Sequence, residues 1–193
     1  MPDDDTSHWL LEVWLQKKGV SSWQFEPVFL RWDSRNSTTG VLVKGDREIS
    51  TQSLEHIVRI AFDKAEKSSD WWRHIGAVLF DYEGTVIESA HNIHLPTEYT
   101  PYIDGDPRAA FSRGVNIELS TSIHAESAVI AEAASKGIAT KGLRLFVTTF
   151  PCPVCAKLIA ACGISELYFV DGYSMVDGEA VLRNAGVAII RVV

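Results

Sequence analysis

The chain has 193 residues, 46% of them hydrophobic, and a formal net charge of −7. That is enough apolar material for one buried core and too little length for two full domains, which excludes a disordered chain. The acidic balance argues against sequence-independent nucleic-acid binding, which relies on clustered Lys and Arg.

The first residues, Met1-Pro-Asp-Asp-Asp-Thr6, are acidic where a secretory signal is basic. The apolar stretch from Trp9 to Leu15 is interrupted by Glu12 and is too short to cross a bilayer. Cys152, Cys155 and Cys162 in a chain without an export signal fit a reducing compartment, so a cytoplasmic location and no membrane contact are expected. The first fifty residues hold four of the six tryptophans, too apolar a content for a solvated tail. A helix near Trp9 to Lys17 is expected there, then a hairpin of Gln24 to Trp32 with Val41 to Lys44, turned at Asp33 to Gly40. Residues 1–50 read as an extension packing on the core or on a neighbouring subunit, and residues 51–193 as the main domain.

From residue 51 onward, helix and strand signals alternate. Leu54, Ile57, Val58, Ala61, Phe62 and Ala65 recur at helical spacing, with Ser53 available as N-cap. His74 to Phe80 and Thr85 to Ala90 read as strands of an antiparallel hairpin, joined by the short turn Asp81-Tyr-Glu-Gly84. The stretch Asn92 to Ser122 is a long loop carrying Tyr99, Tyr102, Asp104, Asp106, Arg108 and Arg113. Loops of that length are often lids over a ligand, and an excursion at an oligomer interface fits the same residues. Glu126 to Ser135 reads as a helix closed by Gly137, and Leu143 to Thr149 as a buried strand. Another helix begins at Cys152 or Pro153 and ends at Gly163. Leu167 to Val170 is a strand, Val176 to Ala185 a helix, and Val187 to Val193 the last strand. A right-handed crossover makes those last two strands parallel. The fold class expected is α/β: a three-layer αβα sandwich with a mixed five-stranded sheet.

The chemistry concentrates in His124-Ala-Glu126 and Pro151-Cys152-Pro-Val-Cys155. One imidazole and two thiolates suffice for a tetrahedral Zn²⁺ whose fourth position stays open to water. Glu126, two residues from the histidine, can move that water's protons. Cys152 and Cys155 sit at a helix start, where the helix dipole favours thiolates. An isolated C-x-x-C also suits a redox pair, and a structural zinc needs a fourth protein ligand. Cys162 does not supply one, because it lies on the far side of its helix. It reads as a small buried residue before Gly163. His91 and His94 lack a third partner for a second metal. His-x-Glu followed by Pro-Cys-x-x-Cys is the known signature of zinc-dependent base deaminases.

From Ala61 to the C-terminus the residues resemble the deoxycytidylate (dCMP) deaminase family of the cytidine deaminase-like fold. The strongest match is Phe150-Pro-Cys-Pro-Val-Cys-Ala-Lys-Leu-Ile159 with Ala-Ala-Cys-Gly-Ile164. Ile75-Gly-Ala-Val78, His91-Asn-Ile-His-Leu-Pro96 and Asp171-Gly-Tyr173 with Asp177 and Glu179 carry the rest. The resemblance implies zinc-dependent hydrolysis of dCMP to dUMP by a homo-oligomer, with His124, Cys152 and Cys155 on the metal and Glu126 as the catalytic acid–base. Candidate substrate contacts are Asn92 and Ala125, Arg108 and Arg113 for a phosphate, and Tyr173 for the base. The chain departs from the family at Ala128, where an asparagine is usual, and at Ile93, where a glycine is usual. Those departures leave the zinc chemistry untouched and bear on the substrate, for which another cytosine nucleotide, a nucleoside or a modified base stays open. Two alternatives of other classes are a nucleic-acid base deaminase acting on tRNA adenosine or polynucleotide cytosine, and a silent zinc-binding regulatory protein.

Overall fold

Alternation of apolar residues along the strands builds a core on both sides of one sheet. The computed structural model describes residues 5–19, 21–25, 43, 45–110, 119–172 and 177–193. The sheet contains β1 (Arg47–Ile49), β2 (Gly76–Phe80), β3 (Val86–His91), β6 (Arg144–Thr149), β7 (Glu166–Asp171) and β8 (Ala188–Val192), ordered β1-β8-β7-β6-β2-β3. β2 is antiparallel to β3 and β6, while β6, β7, β8 and β1 are mutually parallel neighbours. The last two strands are parallel, as the crossover rule requires. The sheet has six strands and not the five expected. The extra one, β1, is a three-residue strand inside the stretch assigned to the extension, too short to show a period of two.

Helix α2 (Glu55–Ala65) covers one face. Its Ile57 and Ala61 cluster with Val78, Phe80, Phe146, Tyr168 and Ile190. The intervening residues Ala77, Leu79, Leu145, Val147, Phe169 and Ile189 point the other way, into a core shared with α4 (Ala125–Ser135), α5 (Pro153–Ala161) and α6 (Asp177–Asn184). Each strand thus serves two helical layers, which is the αβα sandwich. Gly76 permits the closest approach: a Cβ there would lie 1.8 Å from the carbonyl oxygen of Ala61 on α2.

Two local expectations shift. The cap ahead of α2 is Ser50, whose side chain accepts from Gln52 N at 3.3 Å and opens a tight turn over Thr51–Leu54. Ser53 lies inside that turn. The long loop also has structure of its own. β4 (Ile93–His94) pairs with β5 (Ser122–Ile123), and a one-turn helix, α3 (Thr100–Ile103), lies between them. Near the N-terminus, α1 (Asp5–Leu10) continues through irregular helical turns to Lys18 and ends at Gly19, with φ of 81°. Trp9, Trp14 and Trp23 are exposed. Most of the expected hairpin in the extension lies outside the described residues.

Candidate active site

His124 and Cys152 reach their positions by the same local device. Each is an N-cap residue in extended conformation: His124, φ −68° and ψ 151°, precedes α4, and Cys152, φ −67° and ψ 164°, precedes α5. Pro153 then occupies the first turn of α5, where its missing N–H costs nothing. The Cys155 N–H points back to Cys152 Sγ at 3.5 Å. Both helix N-termini therefore converge beside the end of β6, at the carboxyl edge of the parallel strands where open α/β sheets hold ligands.

The three side chains meet. His124 Nδ1 lies 3.5 Å from Cys152 Sγ and 3.4 Å from Cys155 Sγ, and all three donor atoms fall within 4.8 Å of one another. Zinc bonds of about 2.3 Å to sulfur and about 2.0 Å to nitrogen, at tetrahedral angles, put sulfur and nitrogen about 3.5 Å apart. The donor set and its spacing fit that ion. Among the described residues no other group of three such side chains gathers in this way.

The electrostatics follow from the crowding. The hydrogen bond from the Cys155 thiol, against the cost of burial and with help from His124, draws Cys152 down to about 4. Cys155 is pushed up by that neighbouring thiolate and by burial. A bound cation reverses this second shift, because a coordinating thiol is deprotonated outright. Burial opposes the charged form of His124 most strongly, but its hydrogen bond to Cys152 and the charges of Glu126 and Cys152 together outweigh it and carry the imidazole to about 8. Glu126, in the first turn of α4, is buried, and burial raises its carboxyl above the ordinary range against the pull of His124. Ser127 Oγ lies 3.7 Å from Cys155 Sγ, the one side-chain hydroxyl against either of these two sulfurs among the described residues.

The other candidates fall in different places. Ala125 is fully buried at the start of α4. Asn92 is buried at the end of β3. Its Oδ1 accepts from Ile75 N at 2.8 Å and its Nδ2 donates to Arg73 O at 2.9 Å, so it staples the segment leading into β2. Arg108 is near enough for its charge to act on His124, but its Nε donates to Asp106 at 2.9 Å and its Nη2 to Asp70 at 2.7 Å. Arg113 and Tyr173 lie outside the described residues. The buried polar residues Asp70 and His94 were not named as site residues by sequence reasoning. The Ser-Ser-Asp70 turn before two tryptophans was the available signal for the first. Cys162 is half-buried and turned away, its Sγ donating to Ile159 O.

Residues 51–171 match the family described as the cytidine and deoxycytidylate deaminase zinc-binding region. The chain belongs to this family. Curated members similar to it include the deoxycytidylate deaminase of Enterobacteria phage T2, 40% identical over 72 residues (36% of this chain and 38% of the relative). The deoxycytidylate deaminase of Saccharomyces cerevisiae is 28% identical over 163 residues, 80% of this chain and 51% of the relative. The human deoxycytidylate deaminase is 29% identical over 134 residues, 67% of this chain and 71% of the relative. The chain spans about half or less of the first of these family members. The apo crystal structure of dCMP deaminase from cyanophage S-TIM5 shares the fold, with a TM-score of 0.56 and 22% identity over 74% of this chain and 99% of that one. No described helix is long and apolar enough to cross a membrane.

Proposed function

We propose that the chain is a zinc-dependent hydrolase that deaminates a cytosine nucleotide, dCMP to dUMP before others. The observation that carries this reading is the convergence of His124 Nδ1, Cys152 Sγ and Cys155 Sγ beside the buried carboxyl of Glu126. Support for the substrate class comes from the deoxycytidylate deaminases among its relatives and from the fold it shares with a phage protein crystallised with dCMP and dUMP.

In this reading His124, Cys152 and Cys155 hold the zinc, which when bound supplies Lewis acidity that makes water a competent nucleophile near neutral pH. Glu126 takes a proton from the attacking water and delivers it to ring nitrogen N3, then carries a second to the departing amine at C4. A carboxyl with a raised pKa suits both directions, since it must bind and release a proton at similar cost. Cytosine and water become uracil and ammonia. We assign substrate contact to Asn92, Ala125, Arg113 and Tyr173. We also infer a cytoplasmic homo-oligomer in which residues 51–193 form the catalytic domain and residues 1–50 an extension packed against it. The pairing of β1 with β8 supports that packing.

The deciding experiment is ammonia release from a panel of dCMP, dCTP, cytidine, cytosine, single-stranded DNA and tRNA by the zinc-loaded chain. Highest kcat/KM on dCMP is expected. Preference for a polymer or for the triphosphate would overturn the substrate, and silence on every member would overturn the activity.

A further inference from the structure

We propose that Arg108 is a positioning residue: two carboxylates clamp it so that it fixes the insert between β3 and β5 against the segment before β2, and it does not serve as a phosphate contact. The kinetic part of this inference rests on the deaminase reading; the structural part does not.

Arg108 is held as a guanidinium is when its position matters. Its Nε lies 3.1 and 2.9 Å from the two oxygens of Asp106, its Nη2 reaches both Asp106 and Asp70, and its backbone N–H donates to Asp106 Oδ1 at 2.9 Å. Both aspartates are buried. A guanidinium already faced by two carboxylates presents no unmatched positive charge to a phosphate dianion. A cation kept for a phosphate would not be neutralised in advance.

What the clamp joins explains its use. Asp70 Oδ1 accepts the backbone N–H groups of Trp72 at 2.8 Å and Arg73 at 3.1 Å, fixing the turn that runs into β2. Asp70 Oδ2 lies 3.5 Å from Nε2 of His94, which is fully buried on β4. His94 Nδ1 meets Thr121 Oγ1 at 2.8 Å, and His94 pairs across the ladder with Ser122, two residues before His124. Trp72 Nε1 donates to Asp106 Oδ2 at 3.2 Å and closes the circuit. Hydrogen bonds thus run from Arg108 to Asp70, and a 3.5 Å contact carries on to His94 and the strand that delivers a metal ligand.

The test uses the full-length, zinc-loaded chain and three variants: Arg108→Ala, Arg108→Lys and Asp106→Asn. Amide hydrogen exchange is read without nucleotide at residues 70–75 and 93–94. The clamp predicts exchange faster by roughly tenfold or more in Arg108→Ala, with Arg108→Lys intermediate because an ammonium cannot span both carboxylates. With dCMP, Asp106→Asn is expected to lower kcat, since it loosens the clamp. If Arg108 were a phosphate contact, Asp106→Asn would free the guanidinium and lower KM. Unchanged exchange in Arg108→Ala, a rise in KM alone, or a lower KM in Asp106→Asn would each overturn the proposal. A wild-type chain inactive on every nucleotide would sink the proposed activity, while the exchange arm would still decide the clamp.

Discussion

Glu126 combines burial with a pKa that the burial raises, two residues along α4 from His124, the circumstances in which a carboxyl exchanges protons readily. Glu126→Gln keeps the shape and removes the exchange. It is expected to lower ammonia release by about 10²–10⁴-fold at unchanged zinc content, measured by metal analysis beside a steady-state assay. An active glutamine variant would remove Glu126 from the chemistry. Cys152→Ala is expected to lose the metal and the activity together. Ser127 offers a finer probe. Its hydroxyl touches the Cys155 sulfur, and outer partners of metal ligands usually matter by about 10–100-fold in affinity. Ser127→Ala should weaken zinc at the lower end of that range in a chelator competition, and Ser127→Thr should restore it. Equal affinities in all three would show the contact to be incidental.

At the scale of elements, the segment between α2 and β2 is set by Asp70. Burial works against its charge, but His94 at 3.5 Å, the charge of Arg108 and the Trp72 amide bring its pKa from 3.8 down to about 2. A depressed carboxyl contributes stability that is complete above its unfolded pKa and is lost as pH falls through the folded one. Asp70 therefore contributes about 2 kcal/mol above about pH 4, disappearing toward about pH 2. Urea midpoints of the wild type and Asp70→Asn should differ at neutral pH and converge across that acid window. A gap that persists at the acid end would mean the charge is not the cause. Gly76 sets the spacing of α2 on β2. Gly76→Ala drives a methyl into the Ala61 carbonyl and is expected to cost about 1–3 kcal/mol or more, seen as a lower melting temperature. Elements of this kind were readable to different degrees. The helices opened by His124 and Cys152, and the strand between them, follow from apolar period, a first-turn proline and glycine stops. β1 was not readable, because three residues carry no period. The Asp70–Arg108–Asp106 cluster was half readable. Asp106 stands two residues from Arg108, within its reach along the chain, whereas Asp70 is brought in by the fold from 38 residues away.

For the molecule as a whole, the metal and the core are separable. The two apolar clusters fill both faces of the sheet, and His124, Cys152 and Cys155 are members of neither. Chelation should leave the far-ultraviolet circular dichroism spectrum in place and lower the melting temperature. Zinc bound at 100 times its dissociation constant adds about 2.7 kcal/mol. Unfolding on chelation would show instead that the ion holds the fold together.

β1 lies just ahead of the region that matches the family, and it covers the outer side of β8. A protein trimmed to residue 51 and beyond would bare the backbone of a strand that carries Ile190 and Val192, an open template for pairing with another copy. Shortened versions should therefore be stickier than the whole chain, and their clumping would reflect a missing neighbour at the rim and not a failure of the remaining residues to fold.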